Sequence, residues 1–239
     1  MPRTLQSKPN NKARHQEEVV IACLEALSRG GGQELSELLP QIIVLRDPRF
    51  LPPLLAMLRS NRIRERELAA IGLAELDTPE TRKALCDCLH EKPVKISPGY
   101  QRFQFAILQS VGRIGCDQAV PCLQSLLHSR KGPWANPKWK EKVVDAIGQV
   151  AQQGGKKALA ALMEIAQSKD SQLAADALQE MCVAFWHCPN SIPKRVFDLL
   201  IHRLCAKDET IKKAAWEALE DLDRLGCRRA EKMLLSLSC

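Results

Sequence analysis

The residues in this chain that could do chemistry are cysteines, histidines and interleaved cations with aromatics. The densest group of potential ligands is Cys182, His187, Cys188, His202 and Cys205. Its Cys-x5-Cys followed by His-x2-Cys lies outside the usual zinc spacings, and two core cysteines beside a polar turn account for it as well. Asp198, His202 and Cys205 share a helix flank, which invites a Cys-His-Asp reading, but no oxyanion donor can be named for it. Cys86, Cys88 and His90 follow at two-residue steps, so Cys88 is turned about 200° from each neighbour and the three cannot all reach one ion. His90-Glu91 is a single His-Glu pair, too few for an iron site. Neither a Walker loop, a dinucleotide fingerprint, HExxH nor GxSxG occurs. Gly30-Gly31-Gly32 lacks a following Lys-Ser, and Gly154-Gly155-Lys156-Lys157 reads as an inter-repeat turn, although a helix N-terminus of that type can hold an anion. The expectation is therefore a protein with no catalytic residues, no metal and no cofactor.

Cations and aromatics gather in two segments, EKPVKISPGYQRF (91 to 103) and SRKGPWANPKWKEK (129 to 142). They hold Lys92, Lys95, Tyr100, Arg102, Arg130, Lys131, Trp134, Lys138, Trp139 and Lys140, and with them three of the five Trp and Tyr residues of the chain. Such mixtures suit phosphate contacts with base stacking, or an acidic peptide with cation-π contacts. The alternative is that Trp139 plugs the core beneath the loop among solvated lysines.

The elements that must position these residues are helices in pairs. Five segments read as the second helix of a hairpin: 67 to 77, 105 to 115, 142 to 151, 174 to 182 and 214 to 223. Leu73, Val111, Ile147, Leu178 and Leu219 form a central column, spaced by 38, 36, 31 and 41 residues. Three residues further on stand Leu76, Ile114, Val150, Met181 and Leu222, and four before stand Ala69, Ile107, Val143, Ala174 and Ala215. Those three columns share one helical face. First helices are expected at 48 to 59, 79 to 90, 117 to 128, 155 to 167 and 193 to 206, with Asp47, Thr78 and Asp117 as caps. Residues 16 to 28 and 33 to 45 read as an irregular extra hairpin, and 227 to 238 as a C-terminal cap. A lone hairpin cannot bury its apolar face, so the units must stack.

The segments DPRFLPPLLAML and AILQSVGRIGCDQAVPCLQSLL resemble the short HEAT repeats of phycobilisome-lyase-like proteins, over residues 47 to 225. The resemblance implies an all-α superhelix, a HEAT-like α-solenoid of five hairpins with terminal capping helices. Such repeats serve as scaffolds, adaptors, cofactor-attachment partners and, in divergent relatives, DNA-repair enzymes, so the resemblance does not fix a function. Gln179 and Glu220 replace the small residues of the column Ala74, Gly112 and Gly148, which predicts looser packing in repeats four and five.

Composition agrees with one folded unit: 239 residues, 45% hydrophobic, 26% charged and only 4% aromatic. Residues 1 to 14 are expected to be a disordered basic tail and 15 to 239 a single domain. Of the net charge of +7, Arg3, Lys8, Lys12 and Arg14 supply +4 and the rest of the chain +3. Neither an apolar run long enough for a membrane nor a secretory h-region is present, and several of the ten cysteines fall in register with apolar neighbours, as in Val19-Cys23-Leu27. A cytoplasmic location without membrane contact is expected.

Seven places before the central column stand Arg66, Gln104, Lys140, Ser171 and Lys212. If second helices line the concave surface, these cations face one groove. The expectation is a non-enzymatic adaptor that binds an acidic protein surface through Arg66, Tyr100, Arg102, Trp134, Lys138, Trp139, Lys140 and Lys212. A nucleic-acid binder using the same residues, or an assembly or lyase subunit for a chromophore protein, is the alternative.

Overall fold

The computed structural model describes residues 11–29, 32–91, 97–129 and 133–237. The tail residues 1–10, Lys92, Lys95, Arg130, Lys131 and Gly30-Gly31 lie outside them. Thirteen helices and no strand occur among the described residues. They are α1 (Asn11–Arg29), α2 (Gly32–Leu45), α3 (Leu51–Leu58), α4 (Ile63–Leu76), α5 (Pro79–Leu89), α6 (Pro98–Ile114) and α7 (Val120–Leu127). There follow α8 (Pro137–Gln152), α9 (Lys156–Ile165), α10 (Ser171–Val183), α11 (Lys194–Leu204), α12 (Glu209–Arg224) and α13 (Arg228–Leu237). Because α1 begins at Asn11, the last four residues of the expected tail are helical.

Each hairpin contributes a first and a second helix, and the second helices pack in sequence: α4 on α6, α6 on α8, α8 on α10 and α10 on α12. First helices touch one another sparingly, as α3 does α5 and α7 does α9. A two-layer stack with one layer closer packed curves toward that layer, so the exposed faces of the second helices line the inside of the curve. This is an α-solenoid of stacked helical hairpins.

The core follows the column arithmetic. The central column and the column four before it are buried in all five repeats, while in the column three after it Leu76 and Ile114 are only partly buried. Burial at roughly 25 cal/mol per Å² of apolar surface makes this shared interior the main stabilising term. The looser packing expected of repeats four and five does not occur, since α10 and α12 pack at least as closely as α8 and α10. Gln179 is exposed and Glu220 half-exposed, so neither side chain has to fit between helices.

The second helices start earlier than their apolar columns suggested. Ser97 accepts a hydrogen bond from the Tyr100 amide at 3.2 Å and Asn136 from the Lys138 amide at 3.0 Å, each followed by a proline in the first turn. Cap plus proline is a strong initiation signal, and it moves Tyr100, Arg102, Lys138, Trp139 and Lys140 from loops onto helices.

Asp117 caps a helix other than the one expected. Its carboxylate accepts from the amides of Lys157 at 3.0 Å and Ala158 at 3.1 Å, at the start of α9 in the following repeat. The Gly154-Gly155-Lys156-Lys157 turn thus already holds an anion, and the anion belongs to the protein. Gly155 is required there, because a Cβ would lie 2.7 Å from the Val150 carbonyl and 2.8 Å from Asp117.

Candidate binding surface

The eight residues expected to bind a partner do not converge. Arg66 is engaged in packing: its Nε donates to the Leu58 carbonyl at 2.8 Å, its guanidinium pairs with Glu91, and it lies 4.2 Å from the Phe103 ring centre. Tyr100 is buried, donating to the Glu91 carbonyl at 3.1 Å and accepting from Gln104 at 2.7 Å. Trp134 is 7% exposed and meets Trp139 edge to face with ring centres 5.4 Å apart, so the aromatic pair closes the core under its loop. Lys212 pairs with Glu209 on its own helix, far along the stack from Arg66. Lys140 lines an edge cavity with His128, Glu164 and Lys169. Arg102 and Lys138 are exposed at the N-terminal ends of the neighbouring helices α6 and α8, and neither pairs with an acid among the described residues.

The geometric reason is the pitch of the helix. Seven residues are nearly two full turns at 3.6 residues per turn, so a position seven before the central column returns to the core face. Gln104 at such a position is fully buried. Arg66 and Lys140, expected to line the groove, therefore point between hairpins.

The inner face belongs to positions about half a turn round from the central column. Two before it stand Ile71, Gln109, Asp145, Asp176 and Glu217, and two after it Glu75, Arg113, Gln149, Glu180 and Asp221. From α8 onward this face is acidic. A cleft of about 240 Å³ between α10 and α12 is lined by Gln172, Asp176, Gln179, Lys213, Glu217 and Asp221 among others.

Most carboxylates here have a cation of their own. Lys142 holds Glu141 at 3.0 Å and Asp145 at 2.8 Å, Lys213 lies 3.6 Å from Glu217, and Arg224 holds Asp221 at 2.7 Å. Asp176 and Glu180, one turn apart on α10, have none among the described residues. One oxygen of Asp176 accepts from Gln172 at 2.9 Å and the other is buried without a hydrogen bond. Glu180 lies over Gly148 of α8, where a Cβ would collide with its carboxylate. Burial raises the pKa of both, and for Glu180 burial together with the charges of Asp145 and Asp176 pushes it up to about 7. The pair was missed in the sequence, although the column two before the central one turns acidic at Asp145 and so carries the signal.

No group of three or more His, Cys, Asp or Glu side chains among the described residues could hold a metal ion. Cys182 is buried in the core, whereas Cys188, His202 and Cys205 are exposed. No helix is long and apolar enough to cross a membrane among the described residues.

Fold and surface together define a helical-repeat protein with a charged inner face. No protein-family model and no curated protein matches the chain. Among solved structures it is similar to the complex of CpcE and CpcF of phycocyanin lyase from Nostoc sp. PCC7120, at 21% identity over 92% of this chain and 91% of that one, with a TM-score of 0.45. It is also similar to computationally designed armadillo repeat proteins for modular peptide recognition, at 15% identity over 84% of this chain and 98% of that one, with a TM-score of 0.41. A further likeness is to an engineered protein at 18% identity, covering 93% of this chain and 95% of that one, with a TM-score of 0.39.

Proposed function

We propose that the chain is a non-catalytic repeat scaffold whose inner face binds an extended, basic segment of another protein, centred on Asp176 and Glu180. The observation that carries this reading is Asp176, half-buried at the cleft between α10 and α12, with Glu180 one turn further on over Gly148 of α8, neither of them in an ion pair among the described residues. A buried carboxylate is costly until it is neutralised, and an arriving guanidinium or ammonium relieves that cost while forming charge-assisted hydrogen bonds of about 1.5–3 kcal/mol. The acidic partner expected from the sequence is not favoured on this part of the face. Arg102 and Lys138, without an ion pair among the described residues at the helix starts of repeats two and three, support it as a second contact at the other end.

The test is fluorescence anisotropy with an arginine-rich and a glutamate-rich peptide of equal length. The basic peptide should bind more tightly, and Asp176→Asn/Glu180→Gln should weaken it at least about tenfold, the loss of one charge-assisted contact. Binding should also weaken as pH falls below 7 and Glu180 takes up a proton. Unchanged binding by the double variant would reject the site. A preference for the acidic peptide that Arg102→Ala/Lys138→Ala abolishes would favour the second contact instead.

A further inference from the structure

Cys86 and His90 are four residues apart, which places them on one face at the end of α5. Cys122 of α7, in the next repeat, completes a cluster with them. Its Sγ lies 3.4 Å from His90 Nε2 and 3.8 Å from the Cys86 carbonyl. Both thiols are half-buried, within reach of a small reagent, and His90 is exposed. Cys88, between Cys86 and His90 in sequence, is turned inward and buried.

We propose that Cys86 and Cys122 are a reversible dithiol–disulfide couple that bridges the first helices of repeats two and three by exchange with a low-molecular-weight disulfide. The cluster assigns each group a part. The Cys86 thiolate attacks one sulfur of the disulfide RSSR, the S–S bond breaks, RS⁻ leaves, and Cys86 carries a mixed disulfide. Cys122 then gives its proton to His90 and attacks the Cys86 sulfur, forming the internal disulfide and expelling a second RS⁻ that takes up a proton. The sum is two protein thiols and one RSSR giving one protein disulfide and two RSH, so atoms and electrons balance.

Two further observations fit this order. The hydrogen bond from Cys122 lowers the pKa of Cys86, while burial raises those of Cys23, Cys88 and Cys182. That makes Cys86 the thiolate-prone cysteine of the cluster. Moreover α5 and α7 make few contacts of their own, whereas α6 and α8 beneath them pack closely. A covalent link in the loose outer layer fixes the spacing of repeats two and three without disturbing the inner one.

The experiment treats the full chain with excess oxidised glutathione, alkylates the remaining thiols and maps them by mass spectrometry. A dithiothreitol-reversible Cys86–Cys122 linkage should form. Cys122→Ser should stop at glutathione on Cys86, and Cys86→Ser should leave Cys122 reduced. His90→Gln should slow conversion of the mixed disulfide at least about tenfold while leaving its formation unchanged. The proposal is overturned if both thiols remain alkylatable in the native protein, if glutathione settles on Cys122 when Cys86 is absent, or if the linkage joins other cysteines. Circular dichroism of each variant separates these outcomes from loss of fold.

Discussion

Glu75 and Glu180 occupy equivalent places on α4 and α10, two residues after the central column, and the chain treats them oppositely. Glu75 is 8% exposed and clasped by two arginines, Arg46 at 2.8 Å from the end of the extra hairpin and Arg113 from the next second helix. Both guanidiniums stay largely in water, so the carboxylate is neutralised without burying two cations. Glu180 has Gly148 beneath it, Asp145, Asp176 and the already paired Lys142 nearby, and no ion pair of its own among the described residues. A buried carboxylate neutralised by its own chain is part of the framework; one left without a partner takes up a proton or a ligand's cation. The same position in a repeat thus serves cohesion at one end of the solenoid and, under the proposed function, recognition at the other.

The comparison can be broken most forcefully at the N-terminal end. Arg46→Met/Arg113→Met strands the Glu75 carboxylate and should cost about 3 kcal/mol in urea denaturation, the usual penalty for removing the partners of a buried charge. A loss below about 0.5 kcal/mol would mean that solvent already supports Glu75, and the contrast would fail.

The opposite sign is expected at Glu180. Its pKa is raised in the folded chain to about 7, so the folded state binds the proton more tightly than the unfolded one. Stability is greatest below the unfolded value near 4.5 and is lost as pH rises toward 7. Glu180→Gln should therefore stabilise the protein at pH 8 by about 1 kcal/mol after allowance for solvent screening, and by nothing at pH 4. Equal effects at the two pH values would remove the electrostatic explanation.

The smallest effect sharpens the contrast without touching either glutamate. Asp145→Asn deletes the nearest like charge and leaves Lys142 free of that partner, so the Glu180 carboxyl should titrate lower, by less than about one pH unit, in a carbon-detected NMR titration. An unchanged or rising pKa would leave the shift to burial and Asp176.

The hairpin order, the first helices and the buried columns were legible because a strong apolar period survives any single substitution. The groove was not, and the reason is angular. Reading the column seven before Leu73 as an outer face overlooked that two turns bring the chain back to its starting direction, which put Arg66 and Lys212 in the groove on paper, whereas Arg66 packs against Phe103 and Lys212 pairs with Glu209 on its own helix. The loops misled for a different reason. Lys138 and Trp139 follow Asn136-Pro137, a helix start, so the charge and aromatic content of a segment described two helical turns and a short connection rather than one flexible edge. Trp134 shows the remaining limit: an aromatic beside lysines has the same sequence signature whether it is displayed or buried, and only its contact with Trp139 decides. Pairing is equally invisible, since Glu75 and Glu180 look alike until the arginines around one of them are placed.

Asp117 bears on how this chain can be divided. Repeat arrays are commonly cut, duplicated or recombined at hairpin boundaries, since each unit is supposed to carry its own punctuation. Here the boundary drawn by sequence, at Gly154-Gly155, differs from the one drawn by hydrogen bonds, because the start of α9 is terminated by a carboxylate 40 residues upstream. A fragment opened between α8 and α9 would begin with bare amides, and a copy of repeat four inserted elsewhere would arrive without its stop. The smallest piece that contains α9 together with its cap therefore begins at or before Asp117.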